Sequence, residues 1–382
     1  MSKKTIYLDY AAATPLDPIV LEAMQPYQNE IFYNPSAPYQ PARKVRSDIE
    51  EARGTVARIL GAKPTEVIFT AGATESINLA FTTGGHVVTS AIEHTAVIET
   101  AKQYDNTIVG VDKNGLINLD ELEKSIRDDT KLISIGLINN EIGVIQSLNE
   151  IAKIIEGVRS ARQKNNNPTP IYLHTDASQA AGILDMNVAR LGVDMLTING
   201  GKMYGPKQMA VLYVNSKVKL QSIIHGGGQE SGLRSGTENV AGIIGFAAAF
   251  SIAEKKRKSE VERLRDLRSQ MIGALQAEFT DVMILGHNKH QAPHILSVAW
   301  EKLDAERVLF ALENENILVA TGSACAANKD TRSHVLLSLG LKPSIIDGSL
   351  RLSFGRITTT KEIAQAVKII SMTVKKEIER GR

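Results

Sequence analysis

Lys202 stands in Asn199-Gly200-Gly201-Lys202-Met203-Tyr204-Gly205-Pro206, where glycines let a ligand approach the backbone and the amine can condense with a carbonyl. Asp176, in His174-Thr175-Asp176-Ala177-Ser178-Gln179, follows an apolar run and can hold a cationic ring nitrogen. Cys325 is the only cysteine, so it excludes an intramolecular disulfide and a multi-cysteine metal site. Its neighbours, Thr321-Gly322-Ser323-Ala324-Cys325-Ala326-Ala327-Asn328, are small and polar, a setting for a nucleophile more than for an inert packed thiol. Arg351 alternates with leucines in Ser349-Leu350-Arg351-Leu352-Ser353; its planar fork suits an amino-acid carboxylate, or a surface ion pair. Ala71-Gly72-Ala73-Thr74-Glu75 opens a helix whose free N–H groups and dipole can hold a phosphate, with Thr74 adding a hydroxyl; the same residues also serve as a plain turn and cap. Each feature alone is weak, since a lysine beside glycines is ordinarily a solvated loop residue.

The elements that must position these residues alternate. Val45, Ile49, Ala52, Val56 and Ile59 recur at helical spacing and stop at Gly61, and a short apolar strand follows at 66–70. Further strands are expected at 86–90, 107–111, 132–138, 171–175, 193–198 and 209–214, with helices at 119–126 and 148–162 between them. This predicts an α/β fold with a mostly parallel seven-stranded sheet. The turn-rich stretch 165–170 reads as an exposed loop. A charged helical run at 254–268 marks the expected boundary between a large domain, 1–256, and a small α+β domain, 257–382, with strands at 294–300, 317–320 and 349–353; the first 15–30 residues are candidates to pack on the small domain.

In such a sheet, ligands gather beyond the carboxyl ends of the strands. Asp176 and Lys202 then sit at neighbouring ends over one crevice, as pyridoxal phosphate requires: a lysine for its aldehyde and a carboxylate for its ring nitrogen. Composition agrees with a small-molecule enzyme. The 382 residues carry 44 Lys and Arg against 42 Asp and Glu, with no basic block interleaved with aromatics, so there is no footprint for nucleic acid. No unbroken apolar stretch approaches the ~18 residues of a membrane span, and the start lacks a long apolar core, so a cytoplasmic protein is expected.

Nine ordered segments resemble one family. They are Tyr7-Leu8-Asp9-Tyr10-Ala11-Ala12, residues 69–76, Asn139-Asn140-Glu141-Ile142-Gly143, residues 174–179 and 201–207, His225-Gly226-Gly227-Gly228-Gln229-Glu230, Arg234-Ser235-Gly236-Thr237, residues 321–325 and residues 350–356. Together they are similar to the class V aminotransferase group of pyridoxal-phosphate enzymes and, within it, to bacterial cysteine desulfurases. The resemblance implies fold type I and gives the residues roles. Lys202 would carry the cofactor and shuttle protons, Asp176 pair with the ring nitrogen, and His94 stack on the ring as an acid–base group. Ala73, Thr74 and Asn199 would lie at the phosphate, with Gln179 and Asn140 at the cofactor oxygen and the substrate. Asn34, Asn140 and Arg351 would bind L-cysteine, and Cys325 would accept its sulfur as a persulfide. Thr237 would reach the phosphate across a homodimer interface, and the sulfur would pass to an acceptor or scaffold protein. The family's Ser-Gly-His-Lys is here Asn199-Gly200-Gly201-Lys202, so Asn199 would stand in for the serine contact and Gly201 supplies no side-chain donor in place of the histidine. Two other readings stay open: a class V aminotransferase or selenocysteine lyase with Cys325 as bystander, and a catalytically impaired homologue acting as a binding subunit.

Overall fold

The computed structural model describes residues 4–321 and 332–380. Its centre is a sheet of β2 (Val67–Thr70), β3 (His86–Ser90), β4 (Asn106–Val109), β5 (Thr130–Ser134), β6 (Tyr172–Asp176), β7 (Met195–Asn199) and β8 (Ala210–Val214), in the order β2-β8-β7-β6-β5-β3-β4. Only β8 runs against its neighbours, so the expected mostly parallel seven-stranded sheet is present. Apart from the edge strand β4, where Ile108 is exposed, its strands are buried on both faces, and the period of two sends successive residues into different cores. Phe69, Val88, Ile133 and Val211 pack under the helices Gln40–Leu60 and Leu148–Lys164. Ile68, Val87, Leu132 and Leu212 pack under Ala73–Phe81 and Thr95–Ala101. Gln40–Leu60 stops at Gly61, whose φ of +66° directs its amide back to the carbonyls of Ala57 and Arg58. A Cβ there would also meet Asn187 Nδ2 at 2.3 Å, so only glycine ends this helix here.

A second core forms around β9 (Met283–Leu285), β10 (Ile295–Ala299), β12 (Ala320–Thr321) and β13 (Ser349–Ser353), an antiparallel sheet ordered β12-β13-β10-β9. The helices Ala305–Asn314 and Thr360–Arg380 cover it. Ile6 and Leu8 join this core, where β1 (Ile6–Tyr7) pairs in parallel with β11 (Ile317–Leu318). The helix Val240–Glu278 contributes Phe246, Phe250 and Ala253 to the first core and Leu264, Leu267, Met271 and Leu275 to the second.

Several element bounds differ from expectation. The strand expected at 317–320 is two short strands with different partners, because the chain crosses from β1 to β13 between Leu318 and Ala320. The strand expected at 132–138 ends at Ser134, beyond which the chain leaves the ladder toward the crevice. The boundary expected at 256/257 falls inside the unbroken Val240–Glu278 helix. β1 and β9, of two and three residues, carry too little pattern to be seen in the sequence.

His174 ties three strands together inside the sheet. Its Nδ1 lies 2.8 Å from Ser134 Oγ and its Nε2 3.0 Å from Thr197 Oγ1. Complete burial pulls its pKa down to about 4, against the pull of Asp176 in the other direction. The unfolded chain therefore binds a proton near pH 6.5 that the folded chain refuses until about pH 4, and stability is lost as pH falls through that window, by about 3 kcal/mol. Denaturant unfolding at pH 7 and pH 4.5 measures it. His174→Gln, which retains a donor and an acceptor without a titrating ring, shows a shallower loss.

Candidate active site

Parallel strands place their carboxyl ends on one side, and the polar residues following β2, β3, β6 and β7 meet there around a cavity of about 320 Å³. Asp176 ends β6, Asn199 ends the adjacent β7, and Lys202 closes the short turn Gly200–Lys202. Ala73, Thr74, His94, Asn140, Asp176, Gln179, Asn199, Lys202 and Arg351 all line the cavity.

Lys202 is aimed by the amino-terminal segment. Its Nζ donates to the carbonyl oxygens of Ala11 (2.8 Å) and Ala12 (2.6 Å). Gln179 Nε2 donates to the same Ala11 oxygen at 2.9 Å, while Gln179 Oε1 accepts a long bond of 3.4 Å from His294 Nε2. An acceptor-only carbonyl thus fixes which end of the Gln179 amide faces it. Asp176 Oδ1 accepts the N–H of Ser178 at 2.9 Å, which orients the carboxylate.

His94 caps the helix Thr95–Ala101. Its Nδ1 accepts the N–H of Ala96 (3.1 Å), so Nε2 carries the ring proton. Burial lowers its pKa, Asp176 opposes that shift, and Lys202 and His334 add to it. Behind it Glu93 is fully enclosed, accepting from Ser90 Oγ (2.5 Å) and Gly136 N (2.9 Å), and burial pushes its carboxyl up to about 7.

Arg351 is buried on β13. Its guanidinium donates to the Asn140 carbonyl (3.0 Å) and to Asp9 Oδ1 (2.7 Å), while its Nε has no hydrogen-bond partner among the described residues. A guanidinium in the lining of a cavity fits an incoming carboxylate. Asn139, beside Asn140, is structural: its Nδ2 donates to Ile92 O (2.7 Å) and its Oδ1 accepts from Glu141 N and Ile142 N.

The donor set suits pyridoxal phosphate. A primary amine, a carboxylate and a neutral imidazole open onto one cavity whose volume lies in the usual range for small-ligand sites. Ala73 and Thr74, at the start of the helix Ala73–Phe81, also line the cavity, where free N–H groups and a hydroxyl would suit a phosphate. Asn199 lines the cavity, but its Oδ1 accepts the N–H of Gly201 (2.9 Å) and so also braces the lysine turn.

Two expected residues lie elsewhere. Asn34 and Thr237 line a separate depression of about 240 Å³. Asn34 Oδ1 there accepts the N–H of Ser36 (2.9 Å), the usual local use of asparagine in a turn. Cys325 lies outside the described residues. Sequence reasoning assigned nothing to Asp9, Glu93, Ala11 or Ala12, although all four stand in or beside motifs it noted.

The family model for aminotransferase class-V matches residues 6–366. A cysteine desulfurase IscS from Dictyoglomus turgidum is 39% identical over 387 residues, covering 98% of this chain and 95% of that protein. Among solved structures, a NifS-like protein superposes with a TM-score of 0.89 at 32% identity, covering 97% of this chain and all of that one. SspA in complex with cysteine superposes at 0.75 with 33% identity, covering 92% and 99%.

Proposed function

From a chain that belongs to the class-V aminotransferase family, we propose a pyridoxal-phosphate-dependent cysteine desulfurase, which converts L-cysteine to L-alanine and lodges the sulfur on Cys325 for delivery to an acceptor. The observation that carries this reading is the meeting of Lys202, Asp176 and Arg351 in the lining of one cavity. Bound there, pyridoxal phosphate supplies an aldehyde that condenses with amines and a cationic ring that draws electrons from the substrate.

The protein's own groups do the rest. Arg351 and Asn140 hold the substrate carboxylate, the guanidinium being oriented in the cavity wall by Asp9 and the Asn140 carbonyl. Asp176 keeps negative charge beside the ring nitrogen, and Lys202 takes the proton from the substrate Cα and returns one. The Ala11 and Ala12 carbonyls receive the lysine ammonium whenever it is not covalently engaged. The Cys325 thiolate attacks the substrate sulfur, the Cβ–S bond breaks, and Cβ takes up a proton, so that cysteine and a thiol become alanine and a persulfide.

Chain length supports the reach of the thiol. Ala320 pairs with Arg351 in the β12–β13 ladder, and Cys325 is four residues beyond Thr321, a tether of at most about 14 Å. Asn34 and Thr237, side by side away from this cavity, are assigned by this reading to the cavity of a second copy in a homodimer. No helix among the described residues is long and apolar enough to cross a membrane, and we place the reaction in the cytoplasm.

Cys325→Ala tests the proposal. Cysteine-dependent alanine formation falls by two orders of magnitude or more, on the order of what loss of a covalent nucleophile costs, and no persulfide forms. Undiminished alanine and sulfide from the variant would sink the thiol mechanism and favour a lyase in which Cys325 is a bystander.

A further inference from the structure

Downstream of Cys325 the described chain resumes at Arg332 and at once grips the crevice wall. Ser333 Oγ donates to Glu141 Oε2 (2.5 Å) and accepts the N–H of Leu336 (3.1 Å), which caps the helix His334–Ser338. His334 Nε2 donates to the Glu93 carbonyl at 2.8 Å. Ser338 Oγ donates back to the His334 carbonyl (2.7 Å) within the same helix.

The receiving side is itself fastened. Glu93 is pinned by Ser90 and Gly136, and the Ile92 carbonyl is held by Asn139. Glu141 is almost wholly buried. Glu93 immediately precedes His94, and Glu141 immediately follows Asn140. The two polar grips therefore land one residue away from a cavity imidazole and a cavity amide. Val335, Leu336 and Leu339 pack against Ile92, Ile142 and Val144, but apolar packing is non-directional and leaves register loose. Directional bonds to Glu93 and Glu141 set it.

We propose that Ser333 and His334 are positioning residues, a two-point latch that registers the downstream end of the Cys325 segment on the residues flanking His94 and Asn140. The upstream end is registered separately, by the pairing of Ala320 with Arg351. Both ends of the segment are thereby referred to groups that line the cavity, and the latch rests on the desulfurase reading for its purpose. The Glu93 carbonyl only accepts, so the latch needs an N–H at the Nε2 position. A glutamine amide can supply one there; leucine cannot.

The test uses the cofactor-loaded full-length protein and the variants His334→Leu, His334→Gln and Ser333→Ala. Because Cys325 is the only thiol, the rate of alkylation by iodoacetamide without cysteine reads its environment directly. For His334→Leu the expected result is a kcat lowered about tenfold, with KM for cysteine and the visible cofactor band within about twofold of the parent. Its alkylation rate changes by about threefold or more, and His334→Gln restores both kcat and alkylation to within about twofold. Ser333→Ala moves both quantities in the same direction as His334→Leu, and it decides the matter if the leucine variant does not fold. An alkylation rate in both His334→Leu and Ser333→Ala equal to that of the parent overturns the latch, as does His334→Gln behaving like His334→Leu. Absence of cysteine-dependent alanine in the parent overturns the activity reading instead, since alkylation does not depend on turnover.

Discussion

Lys202→Ala abolishes cysteine-dependent alanine formation to within about one part in 10⁴ of the parent rate, while the protein remains folded. The size follows from the two jobs the amine does. It takes and returns the substrate Cα proton from a fixed position, a contribution on the order of 10² to 10⁴ for a placed acid–base group. It also anchors the cofactor covalently, and no neighbouring side chain can substitute, because the Lys207 amine is committed to the Thr14 carbonyl at 3.3 Å. Folding survives because the Lys202 amine bonds to the Ala11 and Ala12 carbonyls, which water entering the cavity can satisfy. A small primary amine added to the medium, such as methylamine, partly restores the rate by occupying the vacated space. A variant that retained more than about a tenth of the parent activity would remove Lys202 from the chemistry.

Asp176→Ala is the second large effect. A carboxylate about 4 Å from a cationic ring nitrogen, at an effective dielectric near 20, is worth on the order of 4 kcal/mol, or about a thousandfold. The loss divides between cofactor affinity and turnover, because the same charge favours the bound cation and the electron flow it permits. Asp176→Asn keeps a side-chain oxygen for the Ser178 N–H and so preserves the local turn, yet loses the charge. Comparable losses in Asn and Ala variants, measured as cofactor dissociation constant and kcat, assign the effect to charge. A near-normal Asn variant would show that the turn, and not the ion pair, matters.

The large sheet was readable from sequence because its strands are short apolar runs that end abruptly in polar residues, as at Asp176 and Asn199. The same abruptness disclosed most of the cavity. What escaped has a physical reason in each case. The grip of Ala11 and Ala12 on Lys202 joins backbone carbonyls to a side chain 191 and 190 residues away, and a carbonyl leaves no mark on residue type. Glu93 and Glu141 are carboxyls taken almost wholly out of water, whereas glutamate is ordinarily a surface residue. Only tertiary enclosure, which lifts both toward a pKa of about 7, marks them as unusual. The split between β11 and β12 escaped because 317–320 is a continuous apolar pattern, and nothing local says that its halves choose different partners.

The helix Val240–Glu278 is about 58 Å of uninterrupted rod at 1.5 Å per residue. Between Ala253 and Leu264 it leaves both cores and is stiffened by the Glu254–Arg257 and Glu260–Arg263 pairs. A shared axle of this kind makes the two cores mechanically dependent: neither can tilt without bending a column of consecutive backbone hydrogen bonds. Tilting one core against the other must therefore bend or unwind part of this 39-residue helix.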